Sequence, residues 1–299
     1  MMMEKNVSAV KKRRHHSSER RKINRSLGGN IAIFGFITLI GIFVAMPLVY
    51  TIGNAFKPLD ELWRFPPSLF PENPTLTNFS DLFLLLQNSW VPLSRYLFNT
   101  VFITFVGTMG QVIFASMCAY ALAKHKFPGA KSIFGLIVTS LMFSTAVTAI
   151  PNYLTMVNLG WIDTYKSIIV PAMGSSMGLY LMKQFIEQIP DVLIEAAKID
   201  GAGEFRIFWK IVMPNVKPAW LTVIVFSVQA LWNIGETTYI YSEQKKTLSY
   251  AISQIISGGI ARAGVGSAVT VIMMSVPILT FIITQSNIIE TMSTSGMKD

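Results

Sequence analysis

The sequence predicts an all-α integral membrane protein with six transmembrane helices. Hydrophobic residues make up 52% of the 299-residue chain and charged residues only 14%, and the mean hydropathy is +0.48. Six long windows contain no Asp, Glu, Lys, Arg or His. Because a helix needs about 20 apolar residues to cross a bilayer, we predict one span in each window.

The six predicted spans follow one another along the chain. They are Ser26–Phe56, Tyr96–Ala123, Ser132–Ile162, Ser167–Met182, Pro218–Gly235 and Ala263–Ile289. Proline is expected to kink or end the first span near Pro47 and to bend the third near Pro151. The fourth window is short, and we expect that span to extend through Phe185 while the Lys183 ammonium reaches the interface.

Basic residues predict the orientation of the spans. Residues 1–30 carry nine Lys or Arg, and further basic residues lie between the second and third windows and between the fourth and fifth. Basic loops stay in the cytoplasm, so both termini are predicted to be cytoplasmic. The expected parts are a basic cytoplasmic segment, residues 1–30, a transmembrane domain, residues 31–290, and a cytoplasmic tail, residues 291–299. Nucleic-acid binding by the basic segment is the weaker interpretation of the +9 net charge.

The stretch between the fourth and fifth windows, Ile189–Pro218, interleaves charged and apolar residues at helical spacing. Asp191 is a predicted helix N-cap. Gly201 is expected to end that helix, since glycine tolerates the left-handed conformation that follows many helices. A second short helix is predicted to stop at Pro214 and Pro218. On periodicity alone, an ordinary amphipathic connector is the simpler interpretation.

Glu195, Ala196 and Ala197 are followed at fixed spacing by Gly201, Ile211 and Pro214. This pattern resembles the "EAA" signature of ABC importer permeases. Met213 stands where that family usually has Leu, a change that conserves volume. In the family, this cytoplasmic loop docks in a cleft of the ATPase subunit and transmits ATP-driven motion. The resemblance therefore implies that residues 190–214 form an ATPase-coupling loop between the fourth and fifth spans. Its implied coupling residues are Glu195, Ala196, Ala197, Asp200, Gly201, Ile211 and Pro214.

Shorter likenesses point to the carbohydrate branch of the family, beside the maltose-type permease. Pro71–Phe79 is similar to the Pro-Thr-Leu-x-Asn-Phe element of that branch, and Leu159–Ser167 to one of its outer turns. Trp232 and Asn233 resemble the Trp-Asn pair at the outer end of the fifth span. For Trp232, a place in an interfacial aromatic belt is an equal alternative.

Small and polar residues interrupt the fourth window. Gly174 and Gly178 have the spacing of close helix–helix contacts, and Ser175 lies between them. A flexible segment that lines the solute path is the functional interpretation, and both can hold. Together with Trp232 and Asn233, these residues are the candidates for the path or its gate.

The last predicted outer loop contains a stretch, Thr247–Ile256, that is expected to form one amphipathic helix. Two glycines then break the pattern. In maltose-type permeases the equivalent loop reaches into the docked sugar-binding protein. The resemblance implies that contacts to such a protein come from Tyr250, Gln254, Gly258 and Gly259.

The sequence shows no sign of catalytic chemistry of its own. It lacks a Gly-x-x-x-x-Gly-Lys-Ser/Thr phosphate-binding loop, and no nucleophile–base set or metal cluster stands out. Ion-coupled carriers usually need an ionisable group inside the membrane, and the six windows contain none. An ion-coupled secondary transporter and a non-transport membrane scaffold are the alternatives to a permease.

The resemblance also implies cofactors and partners. ATP and Mg²⁺ are expected on a partner ATPase, with no catalytic, cofactor-binding or metal residue in this chain. The implied partners are a second homologous permease in a heterodimer, two ATPase subunits, an extracellular solute-binding protein and membrane lipid, but no nucleic acid. The implied solute is a sugar or oligosaccharide, and the implied location is the plasma membrane of a prokaryote. The tail departs from the family's Gly-rich, basic ending, which leaves its contact with the ATPase open.

Overall fold

The computed structural model of the protein describes residues 27–87, 91–235, 238–257, 259 and 262–295. All regular structure within these ranges is helical, which confirms the predicted all-α class for this part of the chain. The chain divides into two units, Met1–Val49 and Tyr50–Asp299. The predictions for most of the basic segment, for Gly258 and for the last residues of the tail lie outside the described residues.

Helix α1, Leu27–Ala55, supplies the described part of the first unit and the start of the second. Its segment Gly28–Ala55 is long and apolar enough to cross a membrane, and none of that window is buried within the chain. Of the two expectations for Pro47, an end of the span there is wrong, because the proline lies inside the helix, and a kink stays a prediction. In an apolar surrounding, unpaired backbone groups are so costly that the helix continues past the single amide that proline lacks.

The second unit contains thirteen further α-helices among its described residues. They are α2 (Leu59–Leu62), α3 (Thr77–Gln87), α4 (Leu93–Lys124), α5 (Ala130–Ser140), α6 (Thr145–Asn158), α7 (Lys166–Met173), α8 (Ser176–Glu187), α9 (Asp191–Ile199), α10 (Glu204–Ile207), α11 (Met213–Asn215), α12 (Lys217–Trp232), α13 (Leu248–Ile256) and α14 (Ala263–Ser295). A π-helical turn, Phe208–Val212, joins α10 to α11, and a 3-10 turn, Glu243–Lys245, precedes α13.

Helix α4 is the axis of this unit and contacts α7, α8, α12 and α13. Two glycines on its buried face allow the neighbouring helices to approach closely. A Cβ on Gly107 would meet the Leu231 side chain of α12, and one on Gly110 would meet Met173 of α7. Both glycines therefore lie at close helix–helix contacts.

Three apolar clusters hold the unit together. One joins α4, α8 and α12 to the stretch that contains α9 and α10, and it includes Met182, Ile194, Ile207 and Val212. Another packs α3, α12, α13 and α14 around Trp232, and the third surrounds Ile103. Each fully buried aliphatic side chain contributes about 1.5–3 kcal/mol, so the first cluster fixes the position of that connecting stretch.

The structure corrects the third and fourth predicted spans. The third window forms α5 and α6 with a bend of 112° between them, whereas Pro151 lies inside α6. The bend lies at residues 141–144, between the two helices, and not at Pro151, so it comes earlier than predicted. The fourth window breaks at Gly174 and Ser175 into α7 and α8.

Three described helices are long and apolar enough to span a membrane singly. These segments are Gly28–Ala55, Leu93–Lys124 and Ala263–Gln285. Two bent helix pairs bring the number to five if each pair is one span. These pairs are Ala130–Ser140 with Thr145–Asn158, and Glu204–Asn215 with Lys217–Trp232. The chain therefore has three to five candidate spans by length and composition.

Candidate functional site

Gly201 closes helix α9 in the way that the sequence predicts. It has φ +75°, its amide donates to the Lys198 carbonyl at 3.0 Å, and the Ala202 amide donates to the Ala197 carbonyl at 2.9 Å. These two bonds form a Schellman motif, which turns the chain sharply after a helix. A Cβ on Gly201 would meet nothing within 4 Å, so the backbone conformation alone favours glycine here.

The prediction that Asp191 is the N-cap of α9 is wrong. Pro190 is the N-cap, and Asp191 is the first residue of the helix. Its carboxylate instead accepts a hydrogen bond from Lys124 Nζ at 2.7 Å, and this bond holds the pKa of Asp191 below its usual value. Lys124, at the end of α4, also donates to the carbonyls of Glu187 and Ile189. One ammonium group thereby secures the entry to α9.

Pro214 does not stop the second short helix. The Met213 amide donates to the Phe208 carbonyl, five residues back, which widens the helix into a π turn. The wider turn accommodates Pro214 within α11, because the carbonyl that a proline ring would otherwise crowd is displaced. The helix ends at Asn215, and after a bend of 78° Pro218 lies in the first turn of α12, as predicted.

The two helices of this connecting stretch are tied to the same end of α4. Tyr120 Oη donates to Glu204 Oε2 at 2.8 Å, and the Lys198 ammonium lies 2.7 Å from Glu204 Oε1. The bond from Lys124 to Asp191 provides a second attachment. A displacement of α9 or α10 would therefore be transmitted directly to α4.

Of the implied coupling residues, most are exposed and two face inward. Glu195, Ala196, Asp200, Gly201 and Pro214 are exposed, and Ile211 is half-buried. Ala197 is only 8% exposed and packs in the same apolar cluster as Ile194. Ala197 therefore does not face outward beside Ala196, since consecutive helical residues point about 100° apart.

Large apolar side chains on this stretch are exposed. Val192 is 71%, Ile199 86% and Phe205 75% exposed, and Leu193 and Trp209 are also accessible. We call these five residues together with Ala196 the loop surface. An exposed apolar patch of this kind on a segment that carries many charges is typical of a protein–protein contact.

A cavity of about 270 Å³ lies between α4, α7, α8 and α12. Ser175 and Gly178 line it together with Gln111 and Ser227. A Cβ on Gly178 would lie 2.7 Å from Gln111 Nε2, so the glycine provides the room for that amide. Sequence reasoning missed Gln111, although an amide inside an otherwise apolar window was an available signal. Gly174 lies outside this cavity, in a neighbouring apolar groove beside Cys118.

Trp232 and Asn233 do not line the cavity. Trp232 is 5% exposed, and its Nε1 donates to the Met273 carbonyl at 3.0 Å. A place in a lipid-facing aromatic belt is therefore wrong for Trp232, whose indole packs between helices. Asn233 donates to the Gln229 carbonyl and accepts from Ser249 Oγ at 3.0 Å. The pair joins α12 to α13 and α14.

The predicted amphipathic helix is α13, and its apolar side is buried. Leu248, Ala251, Ile252 and Ile255 pack in the cluster around Trp232. Of the implied binding-protein contacts, Gln254 and Gly259 are exposed. Tyr250 is half-buried, with Lys246 Nζ 3.8 Å from its ring centroid. Gly258 lies outside the described residues.

Two further polar anchors hold the connections between helices. Asn78, in the Pro71–Phe79 element, is buried and donates to the carbonyls of Ala55 at 3.0 Å and Lys57 at 2.7 Å. The Asp163 carboxylate accepts from Lys245 Nζ at 2.8 Å and from the Ser242 amide at 2.9 Å. Burial raises the pKa of Asp163, but these hydrogen bonds outweigh burial and hold that pKa below its usual value.

Comparisons with known proteins agree with this geometry. Residues 111–292 match the family described as "Binding-protein-dependent transport system inner membrane component". The chain is 32% identical to Protein LplC of Bacillus subtilis (strain 168) over 74% of this chain and 73% of that protein. It is 33% identical to the sn-glycerol-3-phosphate transport system permease protein UgpE of Brucella abortus (strain 2308), over 72% of this chain and 77% of that protein.

A third relative and one solved structure extend the comparison. The chain is 28% identical to the polygalacturonan/rhamnogalacturonan transport system permease protein YtcP of Bacillus subtilis (strain 168), over 80% of this chain and 84% of that protein. Its fold matches a chain of a bacterial ABC transporter involved in the import of the acidic polysaccharide alginate. That match has a TM-score of 0.74 at 22% identity and covers 88% of this chain and 98% of the other.

Proposed function

The chain belongs to the family of binding-protein-dependent transport system inner membrane components, the permease subunits of ABC importers, and from this we propose that it imports a sugar or oligosaccharide. The names of YtcP and of the alginate transporter support a saccharide. UgpE, which is named for sn-glycerol-3-phosphate, makes a phosphorylated polyol the second candidate.

The proposed topology has six spans, with both termini and the stretch 190–214 in the cytoplasm. The fourth of these spans, which is not among the candidate spans identified by length and composition, would consist of α7 and α8, with a break at Gly174 and Ser175. Residues 1–30 and 291–299 are then cytoplasmic, and residues 31–290 form the permease domain. The basic residues of the N-terminal segment and of the connecting stretch support this orientation. The proposed location is the plasma membrane of a bacterium.

The loop surface is the observation that carries the proposed coupling to an ATPase. Its apolar side chains are exposed next to charged residues, and Gly201 sets the angle between its two helices. We propose that the loop surface makes the contact together with the exposed residues Glu195, Asp200, Gly201 and Pro214, while Ala197 and Ile211 support it from within. Because Lys124 and Tyr120 attach this stretch to α4, motion of the ATPase would reach the cavity beside Gln111.

The proposed importer contains this chain, a second homologous permease, two ATPase subunits and an external solute-binding protein. ATP and Mg²⁺ bind to the ATPase subunits, and this chain needs no cofactor. Gln254 and Gly259 are its proposed contacts with the binding protein, with Tyr250 at their edge. Ser175 and Gly178 are its proposed path residues, while Gly174 provides the break between α7 and α8. We propose that Trp232 and Asn233 support the gate of the solute path by joining α12 to α13 and α14, and that they do not line the path themselves.

Reconstitution tests the proposed function. The chain is purified with its partner permease and ATPase, placed in liposomes, and supplied with binding protein and labelled oligogalacturonate or sn-glycerol-3-phosphate. We expect saccharide uptake that requires ATP. Uptake of glycerol phosphate alone would favour the second candidate. Uptake by this chain without a second permease would contradict the heterodimer, and uptake that survives ATP depletion but collapses with the ion gradient would contradict ATP coupling.

A further inference from the structure

A basic cavity of about 730 Å³ lies where α4, α5 and α8 meet. Lysines contribute from all sides of it: Lys124 ends α4, Lys126 and Lys131 flank the turn to α5, and Lys183 lies on α8. Two carboxylates, those of Glu187 and Asp191, also line it. Four ammonium groups against two carboxylates leave the cavity with a positive charge.

Both carboxylates already form ion pairs, with Lys124 and Lys183. Lys124 Nζ lies 2.7 Å from Asp191 Oδ1, and Lys183 Nζ lies 2.8 Å from Glu187 Oε2. Lys131 is exposed, with no ion pair or side-chain hydrogen bond among the described residues. Lys126 is also exposed and influences Asp191 through its charge without a contact at salt-bridge distance. The uncompensated charge of the cavity therefore lies at Lys126 and Lys131.

The start of α5 adds to the attraction for an anion. Gly129 precedes this 11-residue helix with φ +89°, and the first-turn backbone amides of a helix point toward its N-terminal end. Such an end carries a partial positive charge that favours phosphate or carboxylate groups. The N-terminal end of α5 lies beside Lys126 and Lys131, so the helix end and the two lysines would attract an anion to the same part of the cavity.

The neighbouring surface of α5 is apolar and accessible. Ile133 is 45% and Leu136 72% exposed, and the ring of Phe134 lies 4.1 Å from Lys183 Nζ at the wall of the cavity. A ligand that fits both surfaces has an anionic head and an apolar tail. A protein partner with an acidic surface would match the lysines. It would not explain why the adjoining side chains of this membrane segment are apolar and exposed.

We propose that this cavity binds the phosphate of an anionic phospholipid of the inner leaflet, whose acyl chains lie along α5. The proposal rests on the cytoplasmic placement of this end of α4 in the proposed topology. Basic pockets between helices at the cytoplasmic membrane surface are suited to anionic headgroups, and each lysine near the surface contributes to the attraction. The bound lipid would lie beside Lys124, the residue that secures the entry to α9.

Native mass spectrometry of the assembled importer in detergent tests this site. The probes are phosphatidylglycerol and phosphatidylcholine, and the variants are Lys131→Gln and the double variant Lys126→Gln/Lys131→Gln. We expect the wild type to retain phosphatidylglycerol in preference to phosphatidylcholine. Each lysine removed should lower the apparent affinity for phosphatidylglycerol about fivefold, with about 25-fold for the double variant.

The matched control is Arg64→Gln/Lys166→Gln, which removes two exposed positive charges from segments on the other side of the membrane in the proposed topology. It should retain phosphatidylglycerol as the wild type does. Equal retention of both lipids, or an unchanged double variant, would overturn the proposal. Full displacement of the lipid by inorganic phosphate would show a free-anion site instead.

Two further results separate this proposal from its alternatives. Loss of the ATPase subunits from the double variant in detergent would show that the lysines contact the ATPase, which also overturns the lipid site. Lipid retention does not depend on transport. If ATP-dependent uptake fails in reconstitution while the charge-dependent retention persists, the proposed function is wrong and the lipid site stands.

Discussion

Lys124 Nζ lies 2.7 Å from Asp191 Oδ1 and joins the end of the central helix α4 to the first residue of α9. The lysine side chain is 6% exposed, whereas that of the aspartate is 75% exposed. The lysine also donates to two backbone carbonyls. The two partners are therefore unequal: loss of the lysine leaves three acceptors without their donor, and loss of the carboxylate charge leaves only one bond weakened.

This inequality predicts different effects for the two substitutions. Lys124→Met should reduce ATP-dependent uptake and retention of the ATPase strongly, because it removes all three bonds at the entry to α9 and leaves the part-buried Ile189 carbonyl without its donor, at a cost of about 1–3 kcal/mol. Asp191→Asn should have a small effect, because the exposed carboxylate is well solvated. Pull-down of the ATPase and uptake in liposomes measure both variants. Equal behaviour of the two would contradict the anchoring role of Lys124.

The left-handed conformation of Gly201 predicts a graded series. A residue with a Cβ costs about 1–2 kcal/mol at this φ, and a β-branched side chain is worse. Gly201→Val should lose ATPase retention and uptake at normal membrane levels, and Gly201→Ala should be milder. Gly203→Ala is the matched control, because Gly203 has φ −70° and open space for a Cβ. A Gly201→Val protein that imports at the wild-type rate would refute the loop as the coupling element.

The contact between Gly178 and Gln111 predicts an effect on transport rather than on assembly. In Gly178→Ala the new methyl group displaces the Gln111 amide, which changes the shape of the cavity. Uptake should fall while the ATPase remains bound, and Gln111→Ser in the same chain should restore it in part. Gly174→Ala should be tolerated, because its Cβ would lie 3.6 Å from its nearest neighbour at φ −88°. The reverse order of the two alanine variants would contradict this assignment.

The Asp163 anchor predicts a defined pH dependence of stability. A carboxyl group whose pKa is lowered on folding contributes stability above its ordinary pKa of 3.8, and that stability is lost as the pH falls through the lowered value. Asp163→Asn should therefore lower the thermal unfolding midpoint by the same amount at pH 5 and pH 8. The difference from the wild type should shrink only below about pH 4. A difference that changes between pH 5 and pH 8 would contradict the assignment.

The two sides of α13 predict separable effects. Gln254→Trp places a bulky side chain on the exposed side and should abolish stimulation of the ATPase by the binding protein at unchanged thermal stability. Ile252→Ala removes a buried side chain and should cost about 2–5 kcal/mol of stability. Thermal unfolding and binding-protein-stimulated ATP hydrolysis measure the two effects. Unchanged stimulation in Gln254→Trp would remove this residue from the docking surface.

The sequence by itself determined the features that depend on local composition. Uncharged windows predicted the apolar helices, because the apolar environment and backbone hydrogen bonding constrain every residue of a span. The left-handed conformation of Gly201 was also predictable from the sequence, because a Schellman motif involves only residues that are close in sequence. The amphipathic pattern of Thr247–Ile256 likewise predicted a single helix there, which is α13.

The tertiary structure decided where these segments break and what they contact. Asp191 was assigned as an N-cap from its neighbours, but Lys124, 67 residues earlier, takes its carboxylate. Pro214 was assigned as a helix stop, but it lies inside α11, after a π turn whose residues Phe208 and Val212 pack in the first apolar cluster. Ala197 turns inward because it lies with Ile194 on the side of α9 that packs in the cluster containing Met182 and Ile207. The bond between Lys124 and Asp191 and the burial of Ala197 depend on how helices pack against one another, which the sequence near each residue does not encode.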